Sequence, residues 1–255
     1  MKQDGLTPAD FARHLTEAPP EVVEDPDWLL SFLHAYATRA PKPMPTEAAD
    51  RRPEAGFLEL IRPLLDDAYG RLRTRLATSS ADALHPELFA RLWAKPLPEA
   101  MLWMVTRAAL LELYIRRLEG NLGGETPEQR FESFMAPLRT PEGALSFFST
   151  YPALARSLAE RIRQWVDVGA ELAERYAEDR RALESTFGEL AGDGRLGELS
   201  DLEAGLGDRH QDGRVVVRFR FSSGVNLIYK PRTLALDVAF QELLQWLGDQ
   251  GIEPR

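Results

Sequence analysis

The fold of this chain changes within one stretch, residues 207–230, which read GDRHQDGRVVVRFRFSSGVNLIYK. From residue 215 to residue 221, β-branched and aromatic residues alternate with arginine, which is the pattern of a half-buried strand. The expected faces are Val217, Phe219 and Phe221 on one side and Arg218 and Arg220 on the other. A Ser-Ser-Gly turn follows, and residues 225–230 predict a second strand that Pro231 ends, because proline cannot donate to a ladder.

Upstream of this stretch, the pattern is helical from residue 7 to about residue 187. Apolar residues recur at three-and-four spacing, first over residues 57–76 and again in a long helix whose marked positions run over residues 162–187. Thr126 and Thr140 each precede a proline, and Gln129 follows Thr126 by three residues, which predicts two capped helix starts.

A further helix is predicted from Thr233 to about Gly248. Its apolar face would hold Leu236, Ala239, Phe240, Leu243, Leu244 and Leu247. The fold class expected for the chain is therefore α+β and mostly α. Residues 1–190 form a helical region, and residues 191–255 hold two to three antiparallel strands and one helix.

Composition limits the classes of function. The chain has 255 residues, no cysteine and a formal net charge of −9. A nucleic-acid or anionic-membrane surface is a poor expectation for an acidic chain, and thiolate metal sites are excluded. The N-terminus has no apolar signal region, and the richest apolar stretch, residues 101–113, is too short to span a bilayer. We therefore expect a soluble, cytoplasmic protein without a transmembrane segment.

Most candidate motifs are weak. Residues 192–197 match G-x-G-x-x-G, but they follow a helix and precede a loop rather than linking a strand to a helix, so we interpret them as a flexible joint. No Walker-A motif occurs. The four histidines are too scattered for metal-ligand spacing, so no metal site is predicted within the chain.

The segment over residues 207–214 is more informative, because it packs two glycines, two aspartates, one histidine and two arginines into eight residues. Asp212-Gly213 alone is a strong turn signal. The functional alternative is a phosphate-facing loop, in which glycine lets backbone N–H groups approach an anion and His210 and Arg214 supply positive donors.

The order of elements favours the second interpretation. A glycine-containing turn, two antiparallel strands, Lys230 at a strand end and a helix carrying Glu242 follow one another as in protein kinases. Lys230 would then point at nucleotide phosphates, and Glu242 would pair with it. Spacing alone favours the alternative that Lys230 is a solvated lysine at the end of a strand.

Beyond spacing, the sequence resembles a known family. The residues that carry the resemblance are GDRH at 207–210 with GR at 213–214, FSSGVNLIYKPR at 221–232, and LALD at 234–237 with FQELL at 240–244. This combination resembles the N-terminal dehydratase region of class II lanthipeptide (lantibiotic) synthetases, the LanM-type enzymes. The similarity is sharp over residues 205–247 and diffuse over about residues 57–190.

The resemblance implies a two-step reaction on a ribosomally made precursor peptide. ATP with Mg²⁺ phosphorylates Ser and Thr hydroxyls, and loss of phosphate then gives dehydroalanine and dehydrobutyrine. By position, Lys230 would contact ATP phosphates, and the loop over the phosphates would contain Gly207, Asp208, His210, Gly213 and Arg214. The resemblance leaves open which of Asp208, His210 and Arg214 serves transfer and which serves elimination. Arg232 would contact either phosphate or a carboxylate on the following helix.

The sequence departs from this family in what it lacks. No H-R-D-like catalytic loop, no later magnesium-binding aspartate and no zinc cyclase can be found. Residues 191–255 are thus expected to be a truncated kinase-like nucleotide lobe that is inactive alone, with a separate chain as one source of the missing part. Two alternatives stay open, a stand-alone helical module that binds a precursor peptide or partner protein, and a degraded remnant.

Overall fold

The computed structural model describes residues 27–38, 44, 53–78, 85–208 and 211–251. Its α-helices are α1 (Asp27–Ala37), α2 (Leu58–Thr78), α3 (Pro86–Ala94), α4 (Leu97–Leu118), α5 (Pro127–Leu138), α6 (Pro141–Thr150), α7 (Pro152–Phe187) and α8 (Ala235–Asp249). Its strands are β1 (Leu199–Ala204), β2 (Val217–Phe221) and β3 (Asn226–Tyr229). The predicted class, α+β and mostly α, is confirmed. In the part of the chain that is described, we find no helix with the length and apolarity needed to cross a bilayer.

Both predicted helix starts are confirmed, because the caps depend only on neighbouring residues. The Thr126 hydroxyl accepts a hydrogen bond from the Gln129 N–H at 3.2 Å, and the Gln129 side chain returns to the Thr126 N–H. The Thr140 hydroxyl accepts from the Gly143 N–H at 3.1 Å. Each cap satisfies N–H groups that a helix start otherwise leaves without an intrahelical partner.

Helix α7, which runs over 36 residues, is the central helix of the described chain. It packs against α1, α2, α4 and α6 in the helical body. Two indoles join it to α3: Trp93 Nε1–H donates to the Trp165 carbonyl at 3.1 Å, and Trp165 Nε1–H donates to the Trp93 carbonyl at 3.3 Å. Gly169 allows this approach, since a Cβ there would lie 2.5 Å from Trp93 Nε1.

The strands form one antiparallel sheet in the order β1-β2-β3. Leu202 lies opposite Phe219, and Phe219 lies opposite Leu227. The predicted faces of β2 are confirmed, because Val217, Phe219 and Phe221 are buried while Arg218 and Arg220 pair with Glu203 on the other face. Strand β2 begins at Val217 rather than at Val215, since Val216 already accepts hydrogen bonds from the loop.

The apolar face of the sheet packs on α7. The Tyr176 ring stacks on Phe219, with centroids 5.4 Å apart, and on Phe221, with centroids 6.4 Å apart. Burial raises the pKa of the Tyr176 phenol. A second tie holds β1, where Lys95 Nζ lies 2.5 Å from Asp201 Oδ1. The helical body and the sheet therefore share one hydrophobic core.

The end of the turn over residues 192–197, interpreted from the sequence as a flexible joint, is hydrogen-bonded to α7. Arg180 donates to the Gly197 carbonyl at 2.7 Å and pairs with Glu184, which accepts from the Leu196 N–H at 3.0 Å. The following element is β1, where the sequence suggested a loop. The strand was missed because its sequence, LSDLEA, has no β-branched or aromatic residue.

Helix α8 begins at Ala235 and ends at Asp249, close to the predicted bounds of Thr233 and Gly248. None of its residues is buried. Phe240 and Trp246 each expose more than half of their surface. The sequence therefore predicts the element correctly, but no described residue covers its apolar face.

Tyr176→Ala tests whether the stacked tyrosine docks the sheet. We expect the free energy of unfolding to fall by about 3 kcal/mol, because the substitution removes a buried ring and leaves a cavity between α7 and the sheet. Urea denaturation measures this change. The matched control is Tyr114→Ala on α4, where the ring is exposed and a change within about 0.5 kcal/mol is expected. Equal losses in the two variants would contradict the docking role.

We expect Glu184 to make the stability of the turn over residues 192–197 depend on pH. The Arg180 hydrogen bond is the main cause that holds the pKa of Glu184 below its ordinary value. A lowered pKa in the folded chain means that the stabilisation is present above the ordinary carboxylate pKa and is lost as pH falls through the folded value. We expect Glu184→Gln to flatten the fall in melting temperature between about pH 5 and pH 3. Glu178→Gln, on an exposed position of α7, should keep the slope of the parent chain.

Candidate site at the loop edge of the sheet

The candidate site is the edge of the sheet from which residues 205–216 extend. We call these residues the glycine loop; they join β1 to β2. Ala204 ends β1 opposite Val217, and Val217 lies opposite Tyr229 of β3. Because Lys230 directly follows Tyr229, the register brings Lys230 next to Val216 at one end of the glycine loop, while Gly205 at the other end lies across β2.

The backbone of the glycine loop needs residues that tolerate positive φ. Gly205, Gly207 and Gly213 have φ of 87°, 118° and 81°, and Asp212 has φ of 57°. Positive φ at Asp212 and Gly213 is what an Asp-Gly turn adopts, so the turn interpretation of this dipeptide agrees with the backbone. The interpretation as a phosphate loop stays a prediction, because a turn and an anion-facing loop use the same conformations.

Arg214 is held by α7. Its guanidinium lies 3.0 Å from Glu171 Oε2 and also approaches Asp212 at 3.5 Å. The hydrogen bond to Glu171 raises the pKa of Arg214. An arginine in this arrangement positions the loop, and a phosphate would have to compete with Glu171 for it.

Glu171 connects the loop to the end of β3. It also pairs with Arg175 one turn later at 2.5 Å, and Arg175 donates to the Tyr229 hydroxyl at 2.9 Å. We call Glu171, Arg175, Arg214 and Tyr229 the Glu171 network. It ties the glycine loop and the residue before Lys230 to the same helix, so both sides of the edge have a common support.

The remaining predicted site residues lie in different surroundings. Gly207, Asp208 and Lys230 are exposed. Arg232 pairs with Asp237 of α8 at 3.2 Å, so of its two predicted contacts, a phosphate or a carboxylate on the following helix, the structure contains the second. Glu242 is exposed on α8, and it forms no ion pair with Lys230 although both residues are described. His210 lies outside the described residues.

Among the described residues, no group of three or more His, Asp or Glu side chains is arranged to hold a metal ion. A groove of about 420 Å³ opens on the polar face of the sheet. Arg218, Arg220 and Asn226 line it, near the β2–β3 turn, so it lies at the opposite end of β2 from Lys230. At the loop edge itself there is a crevice of only about 10 Å³, lined by Glu171, Arg214 and Tyr229 among others.

Sequence reasoning missed Glu171, Arg175 and Tyr229. Glu171 and Arg175 stand four residues apart on α7, and this spacing indicates an ion pair on one helix face. It gives no sign of Arg214, which lies 43 residues after Glu171. Only the fold brings these groups together.

The candidate site is one edge of a three-stranded antiparallel sheet. A glycine loop joins the first two strands at this edge, and a lysine follows the third strand. Residues 151–255, which span α7, the sheet and α8, match the model of a family described as a domain of unknown function, DUF4135. No curated protein matches the chain.

Glu171→Gln tests the support of the glycine loop. We expect hydrogen exchange at the amides of residues 205–207 to speed up several-fold, because Arg214 loses the carboxylate that ties it to α7 and the loop opens more often. Mass-spectrometric exchange measures this. Glu174→Gln, an exposed glutamate one turn away on α7, is the control and should leave these amides unchanged. Unchanged exchange in Glu171→Gln would contradict the anchoring role.

Proposed function

We propose that this chain provides the helical platform and the first part of the nucleotide lobe of a lanthipeptide synthetase dehydratase. The whole enzyme would use ATP to phosphorylate Ser and Thr of a precursor peptide and would then eliminate phosphate. The match of residues 151–255 to the DUF4135 model supports a structural unit in this part of the chain. The resemblance over residues 205–247 is what points to dehydratase activity in particular.

The observation that carries the proposal is the position of β1. With β1 present, the glycine loop connects the first two strands of an antiparallel sheet, and the lysine follows the third. This is the order in which protein kinases arrange the loop that covers ATP phosphates and the lysine that contacts them. The sequence predicts two to three strands but places only the two that correspond to β2 and β3.

The charges at the loop edge support the same role for Lys230. Arg214, Arg218 and Arg232 each pair with a carboxylate. Lys230 forms no ion pair with any described carboxylate and is exposed. An anionic ligand at this edge would therefore meet a cation that no described acidic side chain has already neutralised, whereas the N–H groups of Gly205, Leu206 and Gly207 already donate to carbonyls within the loop.

Each reaction step would use these groups in a defined way. In the first step, the γ-phosphoryl group leaves ATP and bonds to the Ser or Thr side-chain oxygen, which loses its proton. In the second step, the Cα proton and the phosphate leave, and a Cα–Cβ double bond forms. Positive donors stabilise the phosphate charge in both steps, which is the role assigned to Lys230 and the glycine loop.

Mg²⁺ enters this proposal only as the ion that accompanies ATP, because the described residues do not cluster as metal ligands. Asp208 and His210 stay candidates for proton transfer or phosphate contact in the loop. The sequence contains no H-R-D-like loop, so we expect the chemistry to require residues that this chain does not contain. Nucleotide binding, not turnover, is therefore the property to measure.

Lys230→Ala is the direct test. We expect the affinity for ATP with Mg²⁺, measured by isothermal titration calorimetry, to fall about tenfold or more, because a charge-assisted contact to phosphate is lost. The free energy of unfolding should change by less than about 0.5 kcal/mol, since the side chain is exposed.

Arg181→Ala removes an exposed cation from α7 and serves as the control that should keep the parent affinity. Absence of nucleotide binding in the parent chain would overturn the proposal that residues 191–255 are part of a nucleotide-binding lobe. A large loss of stability in Lys230→Ala would identify Lys230 as a structural residue instead.

A further inference from the structure

Helix α4 carries an exposed apolar stripe on the helical body. Trp103, Tyr114 and Leu118 expose 67%, 58% and 70% of their surface. Leu110 and Leu111 are also exposed and continue the same stripe at helical spacing. From Trp103 to Leu118 the stripe extends about 22 Å along the helix. The Arg107 guanidinium lies over the Trp103 ring, 5.0 Å from its centroid, while Leu110, Tyr114 and Leu118 stay exposed. Exposed apolar surface of this kind marks interaction sites.

Part of the stripe forms one wall of a groove of about 330 Å³. The α4 wall is made by Leu110, Leu113, Tyr114 and Arg117. Leu122 follows α4, and the opposite wall belongs to α5, with Pro127, Arg130 and Phe131. Phe131 is fixed by packing over Gly56, where a Cβ would lie 2.6 Å from the ring. The groove is thus a concave apolar surface between two helices, with one wall held in place.

The charge of the groove is positive in an otherwise acidic chain. Its charged lining residues are two arginines, Arg117 and Arg130. Arg130 donates to the Glu125 carbonyl at 2.7 Å, and neither arginine forms an ion pair with a described carboxylate. The formal net charge of the whole chain is −9. A bound segment with acidic side chains beside its apolar anchors would complement this groove.

We propose that the groove between α4 and α5 binds an acidic amphipathic peptide helix. Apolar side chains at i, i+3, i+4 and i+7 would pack on Leu110, Tyr114 and Phe131, and glutamate or aspartate side chains at the rim would face Arg117 and Arg130. This surface is separate from the loop edge of the sheet, so the proposal does not depend on nucleotide binding.

Two other occupants fit the groove less well. A second copy on a twofold axis would bring two grooves of the same positive charge face to face, and like charges facing each other oppose binding. Proteins that bind anionic membranes typically present clusters of four to eight basic residues, whereas this groove presents two arginines.

The test uses a fluorescein-labelled synthetic helix with leucine at every third or fourth position and glutamate elsewhere, titrated with the full chain by fluorescence anisotropy. We expect saturable binding that weakens with salt, because ionic screening reduces the contribution of the two arginines. A peptide with lysine in place of every glutamate should bind at least about tenfold more weakly.

Two pairs of variants separate the groove from the rest of the surface. Leu110→Ala should weaken binding about fivefold and Arg117→Glu about threefold or more, by loss of an apolar anchor and by reversal of a rim charge. Their controls, Leu190→Ala and Arg181→Glu, change exposed residues of the same types outside the groove and should keep the parent affinity.

Several results would overturn the proposal. These are no binding of the acidic peptide, equal binding of the acidic and basic peptides, or equal effects of the groove variants and their controls. Sedimentation that shows a dimer in the parent chain and a monomer in Leu110→Ala would assign the groove to a second copy instead. Flotation with vesicles that contain phosphatidylserine, if lost in Leu110→Ala, would assign it to a membrane surface.

Discussion

The stacking of Tyr176 on Phe219 and Phe221 is the contact on which the arrangement of this molecule depends. A sheet of three short strands has one apolar face and needs another element to cover that face. Helix α7 provides the cover, and at 36 residues it spans about 54 Å, enough to serve both the helical body and the sheet. The sheet therefore has a defined position because one continuous helix passes from one core region to the other.

The same helix determines the geometry of the loop edge. Glu171 and Arg175 precede Tyr176 by five residues and one residue, so the ionic contacts to Arg214 and Tyr229 lie next to the aromatic stack. In the Glu171 network one carboxylate faces two guanidinium groups, and Asp212 supplies a second carboxylate to Arg214. The network therefore anchors the edge without leaving it a net positive charge, and Lys230 is the group that would attract an anion there.

The elements that could be predicted from sequence are those whose determinants are local. Thr126 and Thr140 cap helices through residues three positions away, and the alternation over residues 217–221 defines two faces without reference to the rest of the chain. Strand β1 lacks such a pattern and exists because β2 offers it a ladder. The partner of Arg214 could not be predicted either, since Glu171 and Arg214 are distant in sequence and meet only after the sheet has docked.

Helix α8 shows where local prediction stops. Its periodic apolar residues predicted a buried face, and the helix forms over the expected residues, yet none of them is buried. Amphipathic periodicity fixes which side of a helix is apolar, but burial requires a complementary surface, and the described residues offer none to α8. Glu242 lies on this helix, so its distance from Lys230 depends on where α8 packs. The absence of a Lys230–Glu242 ion pair is therefore a consequence of an uncovered helix, and any surface that covers α8 would also decide whether that pair forms.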